Sequence, residues 1–266
     1  MLRGGAQPHL IEGADGNVYA VKFRNNPQHR RVLINEFICS NLLCHLGIST
    51  PDIALIEIEE KFIRCNPQMY LQLVGGRGLV QAGIHFGSRY PMDPEKVAIY
   101  DFLPDAMLTM VENRTDFMGA LVFDKWVSNT DARQAVFCRG IGTDEQWPNT
   151  YRVFMIDHGF AFNGGDWNYI TSSVQGIYSQ KVVYESVAGL RHFQPWLARI
   201  IDFPPAIIEE ILRQIPREWL EKEDRVPLEK LIRALIRRRR RVGDLIEDCT
   251  RTKVNPFSKW REGTPV

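Results

Sequence analysis

The sequence has no apolar run near the roughly 20 residues that cross a bilayer, and its opening MLRGGAQPHL holds no signal-peptide core. Net charge is nearly absent as well: 33 Lys and Arg stand against 32 Asp and Glu, +1 in all. No global field therefore draws in a polyanion, and nucleic acid is not an expected partner. Cysteine is sparse at five residues, and the pair Cys39/Cys44 lacks the spacing of a metal knuckle. The thiols read as free core residues in a reducing cytosol. Internal repeats are missing, and low complexity is confined to the five arginines 237–241. These absences exclude a membrane span, a disulfide scaffold and a repeat array. What remains is a cytoplasmic globular chain of 266 residues, 44% hydrophobic and 24% charged, enough for one large or two small domains.

The first third reads as strand-rich. His9-Leu10-Ile11-Glu12 predicts a strand, Ala14-Asp15-Gly16-Asn17 has hairpin-turn chemistry, and Val18 to Phe23 alternates as the return strand. From Arg31 to Leu46, the residues Val32, Phe37, Leu42, Leu43 and Leu46 recur at helical spacing, with Gly47 closing the helix. Strands are expected over 53–58 and 69–74. The glycine-rich stretch Gly75 to Pro94 reads as a hinge or a loop beside a ligand. Further on, 116–127 and most of 205–249 read as helical, two short strands fall near 135–138 and 152–156, and the tail from Thr250 reads as loosely ordered.

Four features carry chemistry, in a telling order. A glycine turn, Gly4-Gly5-Ala6-Gln7, leads into the hairpin. Lys22 ends an alternating strand, and Glu36 follows on a helix. Two acidic sites come later: Asp131 in Ser128-Asn129-Thr130-Asp131, and Asp157 in Ile156-Asp157-His158-Gly159. Each suits phosphoryl transfer. A glycine turn lets backbone N–H groups approach phosphate oxygens, because no Cβ intervenes. A strand lysine sets one cation on the α/β-phosphates, and a helix glutamate holds it there. A carboxylate after a short apolar strand, followed by glycine, is placed to hold magnesium. A second aspartate can orient an attacking hydroxyl and take its proton. Alone, each feature has a plain reading: a flexible terminus, a solvated lysine or glutamate, a turn cap at Asp131.

The ordered set resembles the HipA-like kinases, atypical members of the protein-kinase-like and phosphoinositide-kinase-like fold. The resemblance rests on Gly5-Ala6-Gln7, Val21-Lys22-Phe23, and Asn35-Glu36 in a helix ending His45-Leu46-Gly47-Ile48. It continues in Phe123-Asp124-Lys125-Trp126-Val127-Ser128-Asn129-Thr130-Asp131 and Ile156-Asp157-His158-Gly159-Phe160-Ala161-Phe162. It implies an α+β, bilobal protein-kinase-like fold, with a small β-rich N-lobe (1–88) and a helical C-lobe (89–266). It further implies ATP and Mg2+ as cofactors and a protein serine or threonine as acceptor. On this likeness Asp131, Lys22 and Asp157 are the catalytic residues. Gly4, Gly5, Ala6, Gln7, Lys22 and Glu36 would bind the nucleotide, and Asp157 the metal.

Three departures stand against that pattern. The family sets a histidine two residues, and a metal-binding asparagine five residues, after its catalytic aspartate; here those places hold Arg133 and Val136. Valine cannot coordinate magnesium. Gln134, three after Asp131, is the substitute expected to contribute to nucleotide and metal binding. The larger HipA toxins carry an extra N-terminal β domain, so a compact stand-alone form is expected. The glycine turn also begins within four residues of Met1, so either the lobe is trimmed or the start lies upstream.

His158 reads as a local packing or hydrogen-bonding residue. Phe86 to Pro91 either lines the cleft, with Arg89 reaching a phosphate, or forms a hinge with a structural arginine. Arg237–Arg241 reads as a solvated helix end whose charge suits the dipole, or as a patch for an anionic partner. Alternatives to an active protein kinase are a nucleotide-binding pseudokinase, an AMP transferase on the same fold, and a kinase acting on a lipid or small molecule.

Overall fold

Asp15 builds the first turn: its carboxylate accepts the Asn17 N–H at 3.0 Å, and Gly16 takes φ +74°. This closes the hairpin of β1 (His9–Glu12) and β2 (Val18–Lys22) in the expected place. The computed structural model describes residues 5–91, 96–140 and 150–261. After the hairpin comes α1 (Arg31–Leu46), then β3 (Ile53–Ile58), α2 (Glu60–Cys65), β4 (Tyr70–Leu73), β5 (Gly76–Leu79) and β6 (Gly83–Tyr90). A four-stranded antiparallel sheet forms in the order β1-β2-β6-β3, with β4 and β5 as a separate hairpin.

The glycine-rich stretch expected to be a hinge or a loop beside a ligand is, among its described residues, mostly strand, β6 lying between β2 and β3. Gly87 shows why glycine suits it: an added Cβ would lie 2.7 Å from Ile56 Cγ1 on the neighbouring strand. Here the missing side chain serves close packing rather than motion. Arg89, expected near a phosphate, lies half-exposed and bonds Asn17 Oδ1 at 2.8 Å at the hairpin turn, with Asp52 at 3.6 Å. Of the two readings, the structural arginine is the one observed.

The second half begins with β7 (Val97–Tyr100) and α3 (Asp105–Leu108), followed by α4 (Asp116–Val127), β8 (Gln134–Gly140) and β9 (Tyr151–Ile156). It ends in α5 (Trp196–Ile201), α6 (Pro205–Arg213), α7 (Arg225–Arg238) and α8 (Val242–Thr250). β7, β8 and β9 form an antiparallel sheet, and every residue of α4 is buried. α1 is buried almost all round too, from Val32 to Leu46. It lies between the first sheet and the helices, so an apolar stripe understates its role. Gly47 ends it at φ +71°, with Ile48 N–H reaching Leu43 O at 3.0 Å.

A small β-rich lobe and a helical lobe thus form a bilobal α+β fold. The larger core runs from Phe37 and Leu42 through Trp126 to Leu235, whereas a smaller one around Val21, Phe23 and Leu71 fills the first lobe. Each large side chain fully removed from water contributes roughly 1.5–3 kcal/mol. Among the described residues, no helix is long and apolar enough to cross a membrane.

Three further expectations change. Arg238 is buried, donating to Lys125 O at 2.9 Å and lying over the Tyr169 ring, and Arg239 bonds the Ile236 and Phe203 carbonyls. Part of the arginine run is thus structural. The tail packs as far as residue 261: Phe257 is buried, Trp260 stacks on it, and Arg261 N–H reaches Ala188 O at 3.2 Å. All five cysteines are free, but Cys44 and Cys65 are exposed and only Cys39, Cys138 and Cys249 are core residues.

Candidate active site

At the end of β2, the Lys22 ammonium donates to Glu36 of α1 and, at 2.9 Å, to Asp157 Oδ1. Strand alternation points Lys22 opposite to Val21 and Phe23, which enter the small core. Glu36 is buried and Asp157 is 30% exposed. Burial disfavours the ammonium, yet the two carboxylates outweigh it and raise the Lys22 pKa, so the lysine stays charged. Burial likewise opposes ionisation of Asp157, but the Lys22 charge and hydrogen bond bring it down to about 2. Glu36 moves upward, desolvation exceeding the pull of Lys22.

Gly159 explains the sequence after Asp157. A Cβ there would come 2.5 Å from Val32 Cγ1 and 3.3 Å from Glu36 Oε1, so only glycine lets this loop approach α1. Asp157 itself sits at φ +59°, a left-handed conformation that an ordinary side chain adopts at a cost.

Asp131 lies on the loop between α4 and β8. Its N–H donates to Asn129 Oδ1 at 3.2 Å, and its Oδ2 accepts from Gln134 Nε2 at 3.3 Å. Gln134 is the first residue of β8 and pairs with Ile156, the residue before Asp157. Val136 pairs with Phe154, one step further along the ladder. Gln134 and Val136 share a strand face, and Gln134 is the one at the mouth. Two ties lock the Asp131 loop to the Asp157 loop. Thr130 N–H and Oγ1 both donate to Phe160 O, while Arg133 donates to Ile156 O and the His158 ring.

Arg133 forms the buried centre of this scaffold, pairing through two nitrogens with Asp124 of α4. Asn129 Nδ2 also reaches Asp124, at 3.1 Å, so the acidic loop hangs from α4 through one carboxylate. His158 is buried and packs locally as expected. Burial, then the Arg133 and Lys22 charges, hold its pKa well below the usual value, leaving the ring neutral. Because Arg133 donates to Nδ1, the ring proton belongs on Nε2, 3.4 Å from Thr50 Oγ1.

Of the glycine turn, Gly4 lies outside the described residues. Gly5 is exposed and packs on the Gln28 side chain, Ala6 is buried, and Gln7 takes φ +49°. Gln7 does not offer its side chain to a ligand: Nε2 donates to Gln72 O at 2.8 Å and Oε1 accepts Gln72 N–H at 2.6 Å, fastening the turn to β4. Only main-chain groups of the turn are left for phosphate.

Asp131 opens on a cavity of about 540 Å³ shared with Gln28, His29, Thr130, Asn163 and Asp166. It draws on segments before α1 and after β9, so it spans the junction of the lobes. A larger groove of about 770 Å³ between α6 and α7, floored by Leu212, Leu228 and Ile232, has none of this chemistry.

A metal can be weighed against these donors. Among the described residues, no three His, Cys, Asp or Glu side chains gather to hold an ion. Lys22 with Glu36 and Asp157 carries one excess negative charge, and Asp157 is the open member. A single partly exposed carboxylate fits magnesium, which takes one or two protein oxygens and completes its shell with phosphate and water.

Two residues that matter here were not singled out in the sequence for a role. Asn35 binds three backbone carbonyls of the Asp157 loop, and Arg133 joins Asp124 to the Ile156 carbonyl and the His158 ring. The available signal was a polar residue within an otherwise apolar helical run at Asn35, and the departure from histidine at Arg133.

No curated protein sequence matches this chain significantly. Solved structures do match in fold, each at 12% identity. A Golgi casein kinase aligns with a TM-score of 0.53 over 95% of this chain and 73% of its own. A hydra Fam20 solved with sugar gives 0.51 over 98% and 87%. HipA of Shewanella oneidensis, in its complex with HipB and operator DNA, gives 0.51 over 93% and 67%. A sequence profile described as HipA-like kinase matches residues 1–242. That match spans most of the chain and every residue of the constellation built above, so the protein belongs to the HipA-like kinase family.

Proposed function

We propose that this HipA-like kinase is an active ATP- and Mg2+-dependent phosphotransferase that moves the γ-phosphoryl group of ATP to a serine or threonine hydroxyl of a protein. One observation carries the reading: a single ammonium, Lys22, bridges Glu36 and Asp157, while Gln134, bonded to Asp131, pairs with Ile156, the residue before Asp157. Lys22 binds the α/β-phosphates while Glu36 holds its position, and the main-chain N–H groups of the turn from Gly5 to Gln7 face the phosphates. Asp157 and Gln134 hold magnesium, which when bound neutralises charge on the β- and γ-phosphates. Asp131 accepts the acceptor hydroxyl proton as that oxygen bonds to the γ-phosphorus and the bond to the β-phosphate oxygen breaks, releasing ADP. The lobes divide near residue 88, within β6, and the acceptor enters from the cavity side of Asp131.

Val136 favours a second reading, a pseudokinase that keeps nucleotide without transferring phosphate. AMP transfer uses the same lysine and aspartate.

Thermal unfolding with ATP and magnesium tests the site. Nucleotide at about 100 times its dissociation constant should stabilise the wild type by roughly 2.7 kcal/mol, and Asp157→Asn should lose most of that shift. Absence of any shift at millimolar ATP overturns the proposal. Label from γ-labelled ATP on an acceptor identifies a kinase, label from α-labelled ATP identifies AMP transfer, and binding without label identifies the pseudokinase.

A further inference from the structure

The loop from Asp157 to Trp167 is conformationally expensive. Four of its non-glycine residues, Asp157, Phe162, Asn163 and Trp167, have φ between +51° and +60°. Non-glycine residues occupy this region sparsely and persist there where the surroundings over-determine them. One side chain accounts for much of that constraint. Asn35, fully buried on α1, donates through Nδ2 to the carbonyls of Gly159 at 2.8 Å, Ala161 at 3.0 Å and Gly164 at 2.9 Å. Its Oδ1 accepts the Trp167 indole N–H at 2.8 Å.

The chemistry of this position is demanding. Three carbonyl acceptors and one N–H donor converge on one carboxamide, and no other side chain of that size presents both an NH2 and an oxygen. Aspartate has the volume but would turn an oxygen toward three carbonyl oxygens. Alanine would leave buried polar groups without partners. Asn35 also adjoins Glu36, which grips Lys22. Adjacent residues of one helix thus hold the lysine of β2 and the loop that carries Asp157.

We infer that Asn35 is a positioning residue: through α1 it sets the Asp157 loop against the Lys22–Glu36 pair, so that Asp157 is presented for metal while the lysine is held for phosphate. The inference rests on the reading of Asp157 as the metal carboxylate. It also separates two properties of the site. Nucleotide contacts made by Lys22 and the glycine turn do not depend on Asn35, whereas metal affinity and the rate of transfer do.

The experiment measures Mn2+ affinity by electron paramagnetic resonance, with a non-hydrolysable ATP analogue present, for wild type, Asn35→Ala and Trp167→Phe. It is paired with kcat and with KM for ATP. Loss of a residue that orients a metal ligand typically costs 10–100-fold in metal affinity or activity. Asn35→Ala should therefore weaken Mn2+ binding at least tenfold and lower kcat comparably, with KM for ATP within about threefold. Trp167→Phe keeps an aromatic ring under the Arg31 guanidinium and removes the donor to Oδ1; it should fold and show the same pattern, weaker. Unchanged Mn2+ affinity and kcat in both folded variants overturns the inference and leaves the kinase reading intact. Failure of the wild type to bind the manganese–nucleotide pair overturns both.

Discussion

The two walls of the cleft are built in opposite ways. On one side Lys22, Glu36, Asn35 and the Asp157 loop are largely withdrawn from water, and one amide binds four partners. On the other, Asp131 is half-exposed on a short loop, Gln134 and Asp166 are exposed, and the space beside them is open. On the proposed reading, the difference follows from what each wall would recognise. Phosphates and a metal would be the same in every turnover, so a rigid, pre-arranged frame suits them and avoids reorganisation at the moment of reaction. An acceptor protein would bring its own shape, and the wall proposed to meet it is correspondingly free. Substitutions should then separate the walls: on the buried side they disturb stability and binding together, and on the open side turnover alone.

The largest separation is expected at Asp131. Asp131→Asn keeps size and the hydrogen bond to its loop but removes the proton acceptor, so single-turnover transfer should fall by about 10²–10⁴-fold. The melting temperature and the ATP-induced shift should stay within error; a substantial loss of either would place Asp131 in the structural frame instead. On the opposite wall, Lys22→Met leaves Glu36 buried beside Asp157 without its cation. Breaking a buried pair costs about 3–5 kcal/mol, to be read from urea unfolding, and the nucleotide shift should vanish with it.

Acid sharpens the contrast within the first lobe. His85 on β6 is buried, its Nδ1 accepting the Arg24 N–H at 3.0 Å and its Nε2 facing Gln81 O at 3.0 Å. Burial brings its pKa down to about 4. The folded state therefore binds fewer protons than the unfolded chain between about pH 6.5 and 4. Its contribution is complete above pH 6.5 and is lost as pH falls to 4, about 3 kcal/mol at 1.36 kcal/mol per unit. Urea unfolding of wild type and His85→Gln at pH 7.5 and 4.5 checks this; the variant should show the smaller loss. Thiol labelling gives the smallest effect. In the native protein Cys44 and Cys65 should react promptly, while Cys39 on the buried wall, Cys138 and Cys249 should wait for unfolding.

Much of this was legible before any coordinates. The β1–β2 hairpin followed from Asp15-Gly16, α1 from its apolar spacing and Gly47, and β9 from the run ending at Ile156. Lys22, Glu36 and Asp157, far apart in sequence, were grouped by order and residue type, and the fold brings the three into contact. The failures share a physical cause. Glycines in 75–90 read as flexibility because sequence cannot distinguish an absent side chain that permits motion from one that permits close packing, as at Gly87. Arginines at 238 and 239 read as solvated because their carbonyl partners, Lys125 and Phe203, belong to distant segments.

By itself, then, the sequence determined the local elements and the inventory of reactive groups, because turn residues, helical periodicity and side-chain chemistry act over a few neighbouring positions. Tertiary structure alone decided the alignment of those groups. Through the β8–β9 register it set Gln134 opposite Ile156, the residue before Asp157, and Val136 opposite Phe154. It also hung the Asp131 loop from Asp124 through Arg133 and placed Asn35 beneath a loop more than 120 residues further along. Each of these depends on buried polar groups finding partners across the core, a requirement imposed only when water is excluded.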